Sequence, residues 1–216
     1  MTAVPHAAVA ADPRATLQTF ALEDLAVYTR EGSFPRDDSP DFRSFYVGRD
    51  DVHGVLKHLL SRCSRALKMN MFGYDDDELN AIIAGLVENL NVFVQGTLDR
   101  SQAGGVHEKR ILETWTPQMR SSFAVGQSET HQISHTKGGV LDGIVAWEGS
   151  TNWSASGEGT SIVLGPDAEQ RPGWKGQNNT LTVYINPVEI DKFMTVLDEE
   201  HIVAVRQEAA RAARAA

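Results

Sequence analysis

The sequence predicts an α/β domain in which a mixed β-sheet is flanked by layers of helices. Short runs rich in Val, Phe and Met alternate along the chain with segments whose apolar residues recur at i, i+3 and i+4. Such alternation of strands and helices is typical of layered α/β architecture. With 216 residues, 41% of them hydrophobic, the chain is large enough to bury one substantial core.

The predicted elements follow one another in a regular order. Strands are expected at 45–47, 66–72, 91–98, near 123–125 and at 180–185, with a hairpin at 133–150. Helices are expected at 22–28, after Asp50–Asp51, after the acidic run 75–78, at 108–115 and from Pro187 to Val205. We expect residues 1–42 to be a partly disordered extension, 43–205 to be the domain, and 206–216 to be a helical tail.

One stretch, from His135 to Asn152, carries the most specific pattern in the chain. Written as a motif, it reads H-x-K-x4-D-x6-G-S-x-N, which places His135, Lys137, Asp142, Ser150 and Asn152 at fixed offsets. With average residue usage, a chance match in a chain of this length is on the order of one in a hundred thousand. The alternative is an incidental hairpin, since Asp142-Gly143 is also a strong two-residue turn signal.

This motif resembles the signature of the phospholipase D superfamily, whose members break phosphodiester bonds through a histidine nucleophile. The resemblance implies a phospholipase D-like layered domain across about residues 45–193. It also implies that His135 attacks phosphorus and that Asp142 and Ser150 support the site. No metal or cofactor is expected, since the family chemistry requires none.

The residue types suit that chemistry. A neutral imidazole is a nucleophile near physiological pH, and a phospho-histidine intermediate divides one difficult displacement into two easier ones. Lys137 and Asn152 offer a positive charge and amide N–H donors to the non-bridging oxygens of the substrate. Residues two apart in a strand share a face, so we expect His135 and Lys137 to aim into one pocket.

The motif occurs once, whereas the catalytic centre of the family is assembled from two copies. A second histidine is needed as general acid and base, and no other histidine of the chain is followed at plus two by Lys. His131 is a weaker intramolecular candidate. By resemblance to the small bacterial endonucleases of the superfamily, we expect a homodimer with one composite site.

Several neighbouring residues are expected to assist. Gly149 permits a close backbone approach before Ser150, and Trp153 is a candidate substrate contact. The amides Gln177, Asn178 and Asn179 are candidates to orient His135, where relatives often carry Glu. A second departure from the family pattern is Gly138-Gly139, which indicates a bulge or a close approach by substrate or backbone.

Composition bears on the location and the partners of the protein. The single cysteine, Cys63, excludes a disulfide within the chain, and no secretory signal or membrane span is evident, so we expect a cytoplasmic protein without stable membrane insertion. A net charge of −9 argues against broad nucleic-acid affinity, although a local cleft can still be positive on an acidic protein.

Three functions remain open at this stage. The first is a dimeric, metal-independent nuclease acting on DNA or RNA, which the single motif and the short chain favour. The second is a lipid phosphodiesterase or transphosphatidylase, in which Trp153 and Trp174 of the polar loop 154–176 form an apolar rim. The third is a non-catalytic descendant that binds nucleic acid or protein, against which the complete motif counts.

Overall fold

A seven-stranded mixed sheet forms the centre of the computed structural model, which describes residues 20–130 and 132–215. The strands are β1 (Phe42–Tyr46), β2 (Ala66–Met71), β3 (Phe93–Asp99), β4 (Phe123–Gly126), β5 (Lys137–Leu141), β6 (Val145–Gly149) and β7 (Thr180–Tyr184). Their order across the sheet is β1-β7-β6-β5-β2-β3-β4. The pairs β2–β3 and β3–β4 are parallel, and the other neighbouring pairs are antiparallel. The predicted α/β class with a mixed sheet is confirmed.

Helices cover both faces of this sheet. They are α1 (Val52–Ser61), α2 (Asp77–Glu88), α3 (Arg100–Ala103), α4 (Val106–Glu113), α5 (Pro117–Ser122), α6 (Ala155–Glu158) and α7 (Pro187–Ala215), after a 3-10 helix at Leu22–Tyr28. The side chain of Asp51 caps α1 by accepting a hydrogen bond from the backbone N–H of Gly54. No helix within the described ranges is long and apolar enough to cross a bilayer.

The sheet separates two apolar cores, one on each face, because successive side chains along β5 point to opposite faces. Val140 packs with Ile190, Phe193 and Leu197 of α7, whereas the next residue, Leu141, belongs to the larger core on the opposite face. That larger core contains the buried faces of α1 and α2 and also Leu22 and Leu25 of the 3-10 helix. The part of the N-terminal extension from residue 20 onward therefore packs on the domain, and residues 1–19 lie outside the described ranges.

Gly138 and Gly139 are explained by packing within the protein. A Cβ on Gly138 would lie 2.5 Å from the carbonyl oxygen of Trp147 and 2.8 Å from the ring of Phe193. A Cβ on Gly139 would collide with the indole of Trp147. The absence of side chains at these two positions lets β6 and α7 pack closely on either side of β5.

Candidate active site

The motif lies on the hairpin formed by β5 and β6, beside the carboxyl end of β2. Lys137, the first residue of β5, pairs with Met71, the last residue of β2. His135 precedes the strand instead of lying within it, so the expected alternation does not place it beside Lys137. The two side chains nevertheless meet, because both contact Phe72, which follows β2 directly.

His135 presents its imidazole at the surface. The ring packs edge-on against Phe72, with 4.6 Å between the ring centroids, and the residue as a whole is exposed. Partial desolvation and the neighbouring positive charge of Lys137 lower the pKa of His135, while Asp99 opposes that shift. The shift favours the neutral imidazole, which is the form that attacks phosphorus.

Lys137 is buried beneath this histidine, with only 3% of its surface exposed. Its ammonium donates a hydrogen bond to the backbone carbonyl of His135 (2.7 Å) and lies 4.9 Å from the centre of the Phe72 ring. Burial lowers the pKa of Lys137 to about 8, and Asp99 again opposes the shift. A partly desolvated cation held by few hydrogen bonds is well suited to bind an anionic oxygen.

Asn152 lies on the other side of the same β2 terminus. A Cβ on Gly73 would be 3.0 Å from the Cβ of Asn152, so Gly73 permits this approach. The amide oxygen of Asn152 is buried and has no hydrogen-bond partner within the described residues. His135 and Lys137 thus contact Phe72, and Asn152 lies against the next residue, Gly73.

Ser150 and Gly149 fasten the end of β6 to β7. The backbone N–H of Ser150 donates to the carbonyl of Thr180 (3.0 Å), and the N–H of Thr180 donates back to Ser150 Oγ (2.9 Å). A Cβ on Gly149 would collide with the carbonyl oxygen of Thr180, so the close backbone approach expected at this glycine is present. Ser150 therefore fixes the turn that leads into Asn152.

A buried carboxylate and a half-buried one hold the segment around His135. Asp99, at the end of β3, accepts a hydrogen bond from the backbone N–H of Ser134 (2.7 Å). Glu200, on α7, accepts from the hydroxyl groups of Thr136 (3.0 Å) and Ser134 (3.2 Å). Burial raises the pKa of Glu200, and these two hydroxyl groups act in the opposite direction. Sequence reasoning missed both carboxylates, although Asp99 closes an apolar strand run, where functional side chains of parallel strands collect.

Asp142 lies at the opposite end of β5 from Lys137, in the turn that the Asp142-Gly143 pair predicts. Five residues of strand place the two roughly 16 Å apart. The Asp142 carboxylate accepts hydrogen bonds from the backbone N–H groups of Ser64, Arg65 and Ala66 and from the Ser64 hydroxyl. These bonds, acting against desolvation, lower its pKa. Its contacts support the hairpin turn, in which Asp142 adopts a left-handed backbone with a φ of 55°. They do not involve the segment around His135.

Trp153 requires a correction as a substrate contact. It is 1% exposed and stacks on Tyr74, with 5.3 Å between the ring centroids. Its backbone carbonyl accepts from the N–H of Asp75 (2.6 Å), and its own N–H donates to Gly73 (2.9 Å). Trp153 therefore anchors the polypeptide next to Asn152 from within the core.

The amides at 177–179 stabilise a different segment from the one expected. The backbone N–H of Gln177 donates to the carbonyl of Ser156 (2.8 Å), and the side-chain amide of Asn179 donates to the carbonyl of Gly157 (2.9 Å). Asn178 is exposed. No hydrogen bond within the described ranges joins these amides to His135, so their contacts indicate a role in holding α6.

The remaining histidines lie away from His135 or outside the described residues. His58 contacts the hydroxyl of Tyr28 (3.2 Å), and His201 contacts Thr97 (3.1 Å), as expected of helix-packing residues. His53 is bonded to the buried Glu158. His131 lies outside the described residues, so its candidacy as a second catalytic histidine stays a prediction.

Solved structures with a similar fold include a phospholipase D family member. Nuc from Salmonella typhimurium, a phospholipase D family member, superposes with a TM-score of 0.56 at 11% identity, over 75% of this chain and 94% of Nuc. NucT from Helicobacter pylori gives 0.58 at 13% identity, over 75% and 96%. This chain has the phospholipase D fold. Phosphatidylserine synthase from Haemophilus influenzae shares the phospholipase D fold at a TM-score of 0.51 and 14% identity, over 74% of this chain and 38% of the synthase.

At the level of sequence, no family model and no curated protein matches the chain. The phospholipase D fold is therefore recognised here from the structure. His135, Lys137 and Asn152 lie around the carboxyl end of β2, at Phe72 and Gly73.

Proposed function

We propose that the protein is a metal-independent phosphodiesterase, most specifically a nuclease, that acts through a phospho-histidine intermediate. The observation that carries the proposal is the convergence of His135, Lys137 and Asn152 on Phe72 and Gly73. A neutral imidazole, a buried cation and a side-chain amide, whose N–H groups can donate to anionic oxygens, match a nucleophile and its phosphate-binding groups.

In the first step, Nε2 or Nδ1 of His135 attacks phosphorus, and the leaving oxygen takes a proton from a second histidine. In the second step, water attacks the phospho-histidine and gives its proton to that same second histidine. Lys137 and Asn152 stabilise the charge that builds on the non-bridging oxygens. The second histidine is His135 of another copy of the chain, so the site is complete only in a dimer.

A nuclease is favoured over a lipid phosphodiesterase by two observations. The chain aligns with nearly the whole of Nuc and NucT but with only 38% of the phosphatidylserine synthase, in keeping with one motif per chain. The aromatic rim expected for lipid is also not formed, because Trp153 is buried and the Trp174 indole N–H is bonded to the carbonyl of Thr160.

The first test is cleavage of single- and double-stranded DNA in EDTA by wild type and His135→Ala. We expect cleavage by wild type and a loss of at least about a thousandfold in the variant, since the variant has no nucleophile. His58→Ala is the matched control, because His58 packs against Tyr28 away from the site. Cleavage by His135→Ala at the wild-type rate would disprove the assignment. Inactivity of wild type on DNA and RNA, with hydrolysis of phosphatidylcholine, would move the substrate to lipid.

A further inference from the structure

Three ionisable side chains that are distant in sequence meet behind the segment that carries Asn152. His53 comes from α1, Asp76 from the N-cap of α2, and Glu158 from the end of α6. One potential ligand atom from each lies within 4.8 Å of the others. Their exposed fractions are 8%, 8% and 0%, so the cluster is shielded from solvent. No step of the proposed reaction uses these residues.

The cluster brings two carboxyl groups together around one histidine. His53 Nδ1 lies 2.5 Å from Glu158 Oε2 and 3.8 Å from Asp76 Oδ2, and it is the cationic partner of both carboxylates among the described ion pairs. The second oxygen of Glu158, Oε1, is buried without a hydrogen-bond partner in the described part of the chain. An unpaired carboxylate oxygen in the interior is costly unless a cation or a donor satisfies it.

We propose that His53, Asp76 and Glu158 form a structural site for a divalent transition-metal ion, with Zn²⁺ as the best-suited ion. One neutral imidazole and two carboxylates supply nitrogen and oxygen ligands that Zn²⁺ accepts, and their two negative charges match the charge of the ion. Tetrahedral Zn²⁺ separates its ligand atoms by roughly 3.3 Å, so side-chain shifts of about 1 Å open the present contacts to that geometry.

The groups that surround the three ligands support this assignment. The other ring nitrogen of His53, Nε2, lies 3.4 Å from the carboxylate of Glu78, which is itself paired with Lys57. The second oxygen of Asp76 accepts the backbone N–H of Leu79 (2.8 Å). Metal-binding histidines and carboxylates are commonly oriented by such outer hydrogen bonds.

The consequence for the fold is a cross-link behind Asn152. The ion joins α1 to the segment between β2 and α2 and to α6, which begins three residues after Asn152. Trp153 is hydrogen-bonded to Gly73 and Asp75 of that same segment. The site is independent of the proposed reaction, because the ion stabilises the loop and takes no part in cleavage, which remains active in EDTA at temperatures below unfolding.

The test is Zn²⁺ binding by untagged, full-length protein treated with EDTA, followed by calorimetry and by thermal unfolding. We expect one Zn²⁺ per chain and a rise in Tm of about 5 °C or more when free Zn²⁺ exceeds Kd about a hundredfold. Mg²⁺, which prefers an all-oxygen ligand set, should bind at least about tenfold more weakly.

Asp76→Asn and Asp77→Asn form a matched pair for this experiment. Asparagine still caps α2, so Asp76→Asn keeps the helix start but loses a charged ligand, whereas Asp77 is exposed and pairs with Arg110. We expect Zn²⁺ affinity to fall at least about tenfold in Asp76→Asn and in Glu158→Gln, and to stay unchanged in Asp77→Asn. Absence of binding by wild type, or equal binding by Asp76→Asn and Asp77→Asn, would overturn the site. Loss of DNA cleavage leaves this readout unaffected, so the two proposals fail separately.

Discussion

Lys137 is almost completely buried, and its ammonium group lies beneath His135. Burial lowers the pKa of this group to about 8, close to the pH at which an enzyme of this kind works. In the proposed reaction Lys137 binds phosphate only while it is protonated, so its titration would limit the active pH range from above. The lowered pKa of His135 matters on the acid side of the pH range, because it keeps the imidazole neutral to a lower pH.

A pH profile of kcat/KM for DNA cleavage tests this reading. Lysine is charged below its pKa, so we expect kcat/KM to fall as pH rises through about 8. Arginine stays charged throughout that range, so Lys137→Arg should lose activity overall and lack the part of the decline that is centred near pH 8. A wild-type profile that is flat across this interval, or the same alkaline limb in Lys137→Arg, would contradict the role given to Lys137.

The carboxylate of Asp142 stabilises the β5–β6 hairpin, in addition to the turn sequence. Asp142 accepts three backbone N–H groups and one hydroxyl from residues 64–66, which joins the hairpin to the start of β2. Because its folded pKa is lowered, its contribution to stability is present at neutral pH and disappears as pH falls through that lowered value. Asp142 thereby sets the register of the strand whose far end carries Lys137.

We expect Asp142→Asn to reduce the free energy of unfolding by about 1–2 kcal/mol at pH 7, since charge-assisted hydrogen bonds become neutral ones. Asparagine tolerates the left-handed backbone at this position, so the change isolates the charge. Urea unfolding measures the difference, which should shrink as pH is lowered towards about 3. The exposed Asp167→Asn serves as control. A difference that stays constant with pH would show that the charge is not responsible.

Sequence patterns predicted the order of elements well because each pattern is local. The 3-10 helix at Leu22–Tyr28, the Asp51 cap and the hairpin all follow from neighbouring residues. What the patterns missed depends on long-range packing. Periodicity does not reveal that Trp153 turns into the core or that Glu200 reaches Thr136 from α7. The spacing of His53, Asp76 and Glu158 likewise gives no sign that they meet.

Across the whole molecule, the exposed histidine is bordered by apolar surface. Ile133, two residues before His135, is 49% exposed, and Val196 and Ile202 on α7 are 42% and 48% exposed. Thr136 and Val196 line the same surface cavity. Exposed apolar groups close to the proposed site favour a second copy of the chain at this face.

Light scattering after gel filtration should give a mass near twice the 23.7 kDa of one chain. Val196→Glu places a charge in the proposed interface, so we expect a monomer that keeps the wild-type melting temperature but loses cleavage at least about a hundredfold. Val27→Glu, which changes a valine of the 3-10 helix that is more exposed than Val196 (66% against 42%), is the control. A fully active monomer would contradict the composite site.

The last turns of α7 have a consequence for self-association of the sheet. β4 is an edge strand, so one of its sides has no neighbouring strand. On that side, Glu208 accepts a hydrogen bond from the backbone N–H of Val125, and Arg211 donates to the Val125 carbonyl. Gln207 accepts from the backbone N–H of Gln127, the residue after β4. An uncovered edge is a template for pairing with a second strand. The polar side chains near the end of α7 therefore occupy the place of a neighbouring strand. We expect them to protect the edge from pairing with another molecule.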